Sequence, residues 1–192
     1  MTTMLIISRG SSASTKYIMK DLSRLIPSFR ESKFDNKNML SEMSELMDMN
    51  ECEHVIYFET TKRAHHVWIS SANGPTMRFN AFNMFSMGEL RFLANSRKDG
   101  GHVLLFTKDF EEIDELKVTK KLFQGVFGNP KEADRALCFF YLDEKIWIRN
   151  YVIEDGELKE MGPRMVLELD RIYEGCFNGS LKYKRIKEKE EK

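Results

Sequence analysis

The second half of this chain repeats, in the same order, the most unusual features of its first half. The two tryptophans lie in matching segments, Val67-Trp68-Ile69-Ser70 and Ile146-Trp147-Ile148-Arg149. An apolar run precedes each segment, at 55–58 and 139–142, and a Gly-Pro pair follows each, Gly74-Pro75 and Gly162-Pro163. Matched strand-forming and turn-forming residues in the same order predict that one supersecondary unit is built twice.

The repeat predicts an α/β fold class, with two pseudo-symmetric αβ lobes made from a duplicated unit. Lobe one covers about 1–94 and lobe two about 102–183. The linker is placed at about 95–101, because this stretch is polar and rich in glycine between apolar segments. Residues 184–192 are mostly Lys and Glu and are expected to form a charged C-terminal tail. Two lobes leave a cleft, which is the first place to look for a ligand.

Apolar spacing predicts the elements within each lobe. A strand at 4–8 and a Gly/Ser loop precede a helix at 15–26, which Pro27 ends, and a Met-rich helix follows at 36–49. Strands are predicted at 54–59 and 67–70, and a helix at about 111–127. The segments 143–145 and 154–157 are predicted hairpin turns, the second because Asp-Gly tolerates a positive φ.

Composition excludes several classes of protein. The chain has 192 residues, of which 42% are hydrophobic and 11% aromatic, which is enough for a packed core. No apolar run approaches the roughly 20 residues that cross a bilayer, so no membrane or secretory route is expected. Cys52, Cys138 and Cys176 are an odd count without CxxC spacing. They are predicted to be buried reduced thiols, and no metal or cofactor is expected.

The charge is balanced overall but unevenly distributed. Thirty basic and thirty acidic residues give a formal net charge of zero, yet 9–30 carries five cations against one acid. Within it, Lys16, Lys20 and Arg24 are spaced to lie along one edge of the predicted helix. We call these three residues the basic edge. One face of a neutral protein can therefore be basic.

Catalytic motifs are missing from the chain. The loop after the first strand lacks the GxxxxGK[ST] phosphate loop, and GxGxxG, GxSxG and HExxH do not occur. His65 and His66 are adjacent, so on a strand they would point to opposite faces. No catalytic residue is nominated, and the chain is predicted not to be an enzyme.

Basic and small residues at strand ends and turns are the remaining candidates for a binding site. Guanidinium forks and exposed backbone amides contact phosphates without reading bases, so these positions are candidate RNA contacts. The alternative at each is a solvated charge or an internal salt bridge. Besides the basic edge, the candidates are Arg9, Gly10, Ser11, Lys62, Arg63, Arg78, Arg149, Asn150 and Arg164. Gly74, Pro75, Gly162 and Pro163 are first of all turn formers.

Together these segments resemble the Brix domain, from about residue 4 to residue 183. The resemblance is carried by Ser8-Arg9-Gly10, the segments 17–22 and 25–27, Gly74-Pro75-Thr76 with Phe79, the segment 146–151 and the segment 160–167. It implies two pseudo-symmetric αβ lobes similar to the anticodon-binding domain of class IIa aminoacyl-tRNA synthetases. It adds Ser8 and Thr76 to the candidate RNA contacts, and marks Trp68 and Trp147 as structural positions beside the Gly-Pro pairs.

The resemblance also implies a non-enzymatic factor of the nucleus and nucleolus that binds precursor ribosomal RNA, other assembly factors and ribosomal proteins. The segments 146–151 and 175–183 are most similar to family members that act in assembly of the large (60S) subunit. Paralogues of small-subunit assembly are the nearest alternative. A protein-interaction adaptor whose cations make only salt bridges is a second one.

Overall fold

The computed structural model describes residues 2–34, 39–62, 64–96, 101–128 and 133–186. The first half contains strands and helices in the order β1 (Thr3–Ser8), α1 (Ala13–Leu25), β2 (Ser28–Phe34), α2 (Met39–Met49), β3 (His54–Thr60), β4 (His65–Ser71), β5 (Thr76–Phe85), α3 (Met87–Leu90) and a 3₁₀-helix (Leu93–Ser96). The second half contains β6 (Gly101–Phe106), α4 (Asp109–Glu112), α5 (Asp114–Phe127), β7 (Ala133–Leu142), β8 (Lys145–Glu154), β9 (Glu157–Tyr173) and β10 (Leu181–Lys184). This confirms a mixed α/β fold.

All the described strands belong to one sheet, in the order β2-β1-β3-β4-β5-β9-β8-β7-β6, with β10 beside β9. The two halves meet where β5 pairs with β9 antiparallel, from Thr76 opposite Tyr173 to Phe85 opposite Arg164. The prediction of an open cleft between two lobes is therefore wrong where β5 pairs with β9. Backbone hydrogen bonds between β5 and β9 close it and make one continuous sheet.

The two halves have corresponding strand orders. In the first, β1 is parallel to β3, and β3, β4 and β5 form an antiparallel meander. In the second, β6 is parallel to β7, and β7, β8 and β9 form an antiparallel meander. Trp68 lies on β4 and Trp147 on β8, the middle strand of each meander.

The apolar spacing predicted helix α1 correctly, although the helix begins at Ala13, two residues before its predicted start. The Ser12 side chain caps it by accepting a hydrogen bond from Thr15 N. Ile18, Leu22 and Leu25 are buried on the side that faces the sheet. The helix stops before Pro27, which cannot continue the hydrogen-bond pattern.

The sheet has two differently covered faces. Helices α1 and α5 lie on the inner face, where Phe79, Phe123 and Phe139 come from both halves and have neighbouring ring centroids 5.8 and 5.1 Å apart. Helix α2 lies on the outer face of the first half and buries Met43 and Met47 there, with Trp68 in the same cluster. Met fills irregular gaps in such a core.

The hairpin turns are confirmed. Asp143 and Glu144 join β7 to β8 with φ of 50° and 55°, and Asp155 and Gly156 join β8 to β9 with φ of 53° and 80°. Positive φ at both central residues suits the twist of the flanking strands.

The two Gly-Pro pairs are packing positions, and both peptide bonds are cis. At Gly74, with φ of +73°, a Cβ would lie 2.2 Å from the carbonyl oxygen of Glu174. At Gly162, a Cβ would lie 2.8 Å from Cα of Met87. Only glycine permits these close approaches of backbone to backbone.

Two expected boundaries differ from the structure. Asn95, assigned to the linker, is structural: its Nδ2 donates to Met87 O at 2.7 Å and its Oδ1 accepts from Gly162 N at 2.8 Å. Residues 97–100 of the linker lie outside the described residues. The sheet also continues past the expected start of the tail, because β10 includes Lys184 and Arg185 N donates to Asp170 O at 2.9 Å.

Cys52, Cys138 and Cys176 are buried and not disulfide-bonded. Burial raises the pKa of each thiol, which keeps the neutral form. In the parts of the chain that the structure describes, no helix is long and apolar enough to cross a membrane.

Candidate nucleic-acid interface

A cavity of about 660 Å³ opens on the outer face of the sheet where β4, β5, β9 and β10 lie side by side. We call it the cationic cavity, because four cations and one carboxylate line it. The cations are Arg78, Arg171, Lys184 and Arg185, and the carboxylate is Asp170; His66, Asn80, Thr61, Ala64 and Ile186 complete the wall. Four positive charges facing one concave surface favour an anionic ligand.

Asp170 organises the floor of the cavity. Its Oδ2 accepts a hydrogen bond from NH1 of Arg78 at 3.0 Å and lies 3.5 Å from Nε of Arg171. On its other side Arg78 lies 5.3 Å above the ring of Trp68 and 3.9 Å from Glu59. The guanidinium of Arg78 is therefore fixed in place, while Arg171 shares a single carboxylate with it.

Three buried nitrogen atoms in this wall have no hydrogen-bond partner among the described residues: Nε of Arg78, Nε of Arg171 and Nδ1 of His66. Burial, with the charge of Arg78 as a second cause, lowers the pKa of His66 and favours its neutral form. Buried polar groups in folded proteins are normally satisfied. Their residues are among those that line the cationic cavity.

Arg185 and Lys184 form the upper wall. NH2 of Arg185 donates to Glu144 at 2.6 Å and lies 3.6 Å from Glu168. Lys184 is exposed on β10. Carboxylates therefore hold Arg78 and Arg185 by hydrogen bonds of 3.0 Å or less. Arg171 is held by longer contacts, 3.5 Å to Asp170 and 3.3 Å from NH1 to the hydroxyl of Tyr173.

The loop after β1 lies beside the loop after β3. Ser8 Oγ accepts a hydrogen bond from Thr60 N at 2.9 Å, which joins the two strand ends. Arg9, Gly10 and Lys62 are exposed there. The structure thus brings the first predicted motif close to the loop that supplies Thr61 and Ala64 to the cationic cavity. Arg63 lies outside the described residues.

Four of the predicted RNA contacts have side chains that are buried and bonded within the fold. Thr76 is 0% exposed; its Oγ1 donates to Gly175 O at 2.7 Å and accepts from Phe177 N at 2.6 Å. Asn150 is also 0% exposed and donates to Gly162 O at 3.0 Å. Ser8 and Ser11 are buried and lie 3.1 Å apart through their hydroxyl oxygens. These four side chains make their hydrogen bonds inside the fold, which favours a structural role for them.

The basic edge of α1 is exposed as the helical spacing predicts, at all three positions. Arg24 lies 3.8 Å from Asp21. Lys20 and Arg24 border a second cavity of about 500 Å³, together with Tyr17, Glu89 and Asn95. Because Asp21 and Glu89 share this cavity, its charge is more nearly balanced than that of the cationic cavity.

Arg149 and Arg164 share Glu160. Arg164 donates to both oxygens of Glu160, at 2.6 Å from Nε and 2.5 Å from NH2. Arg149 donates from NH1 to Ile148 O at 2.8 Å and has Nε 3.7 Å from Glu160. Both arginines are therefore bonded within the fold, which favours the internal salt bridge that the sequence analysis gave as the alternative to RNA contact.

The sequence analysis named Arg78 directly, among the basic residues at strand ends and turns, but it missed Arg171, Lys184 and Arg185. Arg171 lies inside a strand without any local motif, and Lys184 and Arg185 belong to the stretch assigned to the tail. The sequence held one indication that polar side chains of β9 share the outer face: Glu168 lies between Leu167 and Leu169, which are buried. No cluster of three or more His, Cys, Asp or Glu side chains suitable for a metal occurs in the described ranges.

Comparison with known proteins decides the family. The Brix domain model matches residues 8–171. This chain belongs to the Brix domain family. The resemblance seen in the sequence is thereby confirmed.

Two relatives and one solved structure illustrate the similarity. The chain is 35% identical to the ribosome biogenesis protein brx1 of Schizosaccharomyces pombe, over 94% of this chain and 68% of the relative. It is 34% identical to the human ribosome biogenesis protein BRX1 homolog, over 94% of this chain and 54% of the relative. This Brix chain thus spans between about half and two thirds of these proteins. The crystal structure of a probable ribosomal biogenesis protein from Aeropyrum pernix K1 shares the fold, with a TM-score of 0.59 at 15% identity over 86% of this chain and 94% of that one.

Proposed function

We propose that this Brix protein is a non-enzymatic ribosome biogenesis factor that binds precursor ribosomal RNA through the cationic cavity. The single observation that carries the proposal is the set of four cations around one carboxylate in the wall of this cavity. The names of the relatives, which are ribosome biogenesis proteins, supply the biological setting.

The chemistry of the cavity suits phosphate groups. A guanidinium presents a planar fork of N–H donors to the oxygens of a phosphate, and an ammonium adds a point charge. Such contacts position RNA without reading its bases. Binding then comes from shape and charge, which is compatible with a chain whose formal net charge is zero.

We further propose that the protein acts in the nucleus and nucleolus, in assembly of the large (60S) subunit, with other assembly factors and ribosomal proteins as partners. The support is the likeness to relatives named BRX1, and the segments 146–151 and 175–183 that first suggested this branch of the family. The small-subunit assignment would be favoured instead if the tagged protein co-sedimented with precursors of the 40S subunit.

A protein-interaction adaptor without direct RNA binding is the second candidate. The observation in its favour is that several predicted cations are already paired, with Arg78 on Asp170 and Arg164 on Glu160. A salt titration of binding to a precursor rRNA transcript separates the two. RNA binding predicts that log K falls linearly with log salt, by about 0.7 per phosphate contact for single strands. An adaptor predicts no binding at physiological salt.

We also infer that the two halves arose as a duplicated αβ unit, similar to the anticodon-binding domain of class IIa aminoacyl-tRNA synthetases. The support is the corresponding order of strands, with a tryptophan on the middle strand of each meander. Superposition of the two halves should bring Trp68 onto Trp147 with the preceding strands in register. A best superposition that pairs these tryptophans with different strands would contradict the inference.

A further inference from the structure

The cavity of about 500 Å³ beside the basic edge lies between α1 and the segment that contains α3 and the 3₁₀-helix. Its α1 side is one helix face with i, i+3, i+4 and i+7 spacing, made of Tyr17, Lys20, Asp21 and Arg24. The opposite side is made of Ser86, Met87, Gly88, Glu89 and Asn95. We call it the tyrosine cavity. Among the described residues, none lines both this cavity and the cationic cavity.

Hydrogen bonds across the tyrosine cavity hold its two sides together. Met87 N donates to Oδ2 of the buried Asp21 at 2.7 Å, and Ser14 Oγ donates to Oε2 of Glu89 at 3.1 Å. Both bonds join α3 to α1. The cavity is therefore formed before a ligand arrives, so binding does not have to order its walls.

Tyr17 gives the cavity an exposed aromatic side chain. It is 57% exposed, although the neighbouring Ile18 on the same helix is fully buried. Lys20 and Arg24 lie about one and two helical turns further along the same face. Proteins bind unpaired nucleotides with this combination, because an aromatic ring stacks on a base and nearby cations contact the phosphates.

Glu89 gives the cavity a hydrogen-bond acceptor in a fixed position. Its Oε2 accepts from N and from Oγ of Ser86, each at 2.7 Å, in the capping box of α3. These bonds lower the pKa of Glu89, so the carboxylate is ionised at neutral pH. Every hydrogen bond that the described residues donate to Glu89 ends on Oε2. Its Oε1 is left to accept from a ligand.

The balance of charge in the tyrosine cavity selects the kind of ligand. Two cations, Lys20 and Arg24, share it with two carboxylates, Asp21 and Glu89. A bare anion gains little from such a site. A nucleotide fits it better, because it combines phosphate groups for the cations, a flat base for Tyr17 and N–H donors for Glu89.

Guanine is the base that suits Glu89 best. Its Watson–Crick edge carries two neighbouring donor groups, N1–H and the N2 amino group, whereas each of the other three RNA bases carries one donor group there. An ionised carboxylate only accepts hydrogen bonds, and Oε1 has two lone pairs. It can therefore accept from both donors of guanine.

We propose that the tyrosine cavity binds an unpaired guanosine of RNA. The base stacks on Tyr17 and donates to Oε1 of Glu89, and the adjoining phosphates contact Lys20 and Arg24. The proposal rests on the proposed function in one respect, that RNA is a ligand of this chain. It adds recognition of a base, which phosphate contacts in the cationic cavity do not supply.

Binding of short RNAs tests the proposal. The probes are the labelled heptanucleotide UUUGUUU and three analogues with A, C or U at the central position. Each is titrated against the full chain by fluorescence anisotropy at one salt concentration. We expect UUUGUUU to bind about tenfold more tightly than each analogue, the scale on which one base is discriminated from another. Equal binding of the four probes, or binding of none, would overturn the proposal.

Substitutions at Tyr17 test the stacking. Tyr17→Leu removes the ring at an exposed position and keeps a good helix former. It should weaken binding of UUUGUUU about tenfold, as expected for one lost stack. The matched control Tyr17→Phe keeps the ring and should bind as the unaltered chain does. Unchanged binding by Tyr17→Leu would overturn the proposal.

Substitutions at Glu89 and Gly88 test the base contact and the cavity itself. Glu89→Gln keeps the capping box, which Gln also closes, and should abolish the preference for G. Glu45→Gln, at an exposed position of α2, is its control and should keep the preference. Gly88→Leu fills the cavity, because a Cβ there would meet nothing closer than Oγ of Ser86 at 4.0 Å. A folded Gly88→Leu that binds UUUGUUU normally, or a preference retained by Glu89→Gln, would contradict the proposal.

Failure of this proposal differs in its outcome from failure of the function proposed for the cationic cavity. The variant R171Q/K184Q leaves the tyrosine cavity intact and should keep the preference for G. If the chain binds a precursor rRNA transcript but shows no preference among the four probes, only the tyrosine cavity is wrongly assigned. If Glu89→Gln abolishes the preference while R171Q/K184Q binds the transcript normally, only the cationic cavity is.

Discussion

Arg78 and Asp170 are 92 residues apart in the chain and form a direct ion pair, with NH1 of Arg78 3.0 Å from Oδ2 of Asp170. The pair joins β5 to β9, the two strands at which the halves of the sheet meet. It therefore stabilises the seam and also sets the position of one cation in the proposed RNA site.

Asp170→Asn should lower stability without weakening RNA binding. The variant removes the nearer of the two carboxylates that pair with the partly buried Arg78 and leaves only Glu59 at 3.9 Å, which costs about 1–3 kcal/mol. For a domain of this size that corresponds to a melting temperature lower by about 2–4 °C per kcal/mol. Because a negative charge leaves the cavity, RNA affinity at fixed salt should hold or rise. An unchanged melting temperature would show that the pair does not stabilise the seam.

Thr76→Val should destabilise the fold by about 1–3 kcal/mol, because it leaves the buried carbonyl of Gly175 and amide of Phe177 without their partner. Urea unfolding measures the change. The matched control is Thr61→Val, at an exposed loop position where water replaces the lost hydrogen bonds. Equal effects at both sites would contradict the structural role given to Thr76.

Alanine substitutions at Arg149 and Arg164 should both lower the melting temperature, and Arg149→Ala should lower it more. The Arg149 side chain is 15% exposed and bonds backbone carbonyl oxygen, whereas that of Arg164 is 33% exposed and its ion pair is partly solvated. If Arg164→Ala melts normally but binds RNA weakly, Arg164 belongs to the RNA interface instead.

Stability should fall as the pH drops below about 6.5, partly because of His102. Burial lowers the pKa of His102 in the folded chain, where its Nε2 lies 2.6 Å from Phe127 O. The unfolded chain therefore binds a proton at a higher pH than the folded chain does. Neutral His102 therefore contributes stability at a pH above the pKa that it has in the unfolded chain. This contribution is lost as the pH falls below that value toward the lower pKa of the folded chain.

His102→Gln removes this titration and keeps a side-chain donor. Its free energy of unfolding should depend less on pH between about 5 and 7 than that of the unaltered chain. His65→Gln, at an exposed strand end, is the control. A pH dependence unchanged by His102→Gln would show that other groups cause the acid destabilisation.

Local sequence patterns predicted several of the elements, but not β2 or β10 and not how the halves join. The apolar spacing of Ile18, Leu22 and Leu25 is sufficient to specify α1, and Asp155-Gly156 is sufficient for a hairpin turn, because each depends on residues a few positions apart. The pairing of β5 with β9 depends on contacts between residues about 90 positions apart. No pattern within either strand specifies that partner.

The candidate site was only partly predictable for the same reason. Arg78 lay near a recognisable motif, but Arg171 and Lys184 reach the cavity because β9 and β10 pair beside β5. Conversely, Thr76 and Asn150 had polar side chains that suited RNA, and their burial follows from tertiary hydrogen bonds that the sequence does not display.

The central claim is tested most directly by RNA binding of R171Q/K184Q, compared with K117Q/K121Q. Both variants remove two cations, the first pair from the cationic cavity and the second from α5. Binding to one labelled precursor rRNA transcript is titrated over a range of salt, after thermal melting has shown that each variant is folded. The claim predicts that R171Q/K184Q binds more weakly and that its salt slope is smaller by about 0.7 per lost contact, while K117Q/K121Q stays close to the unaltered chain. Equal affinities and slopes for the two variants would contradict it.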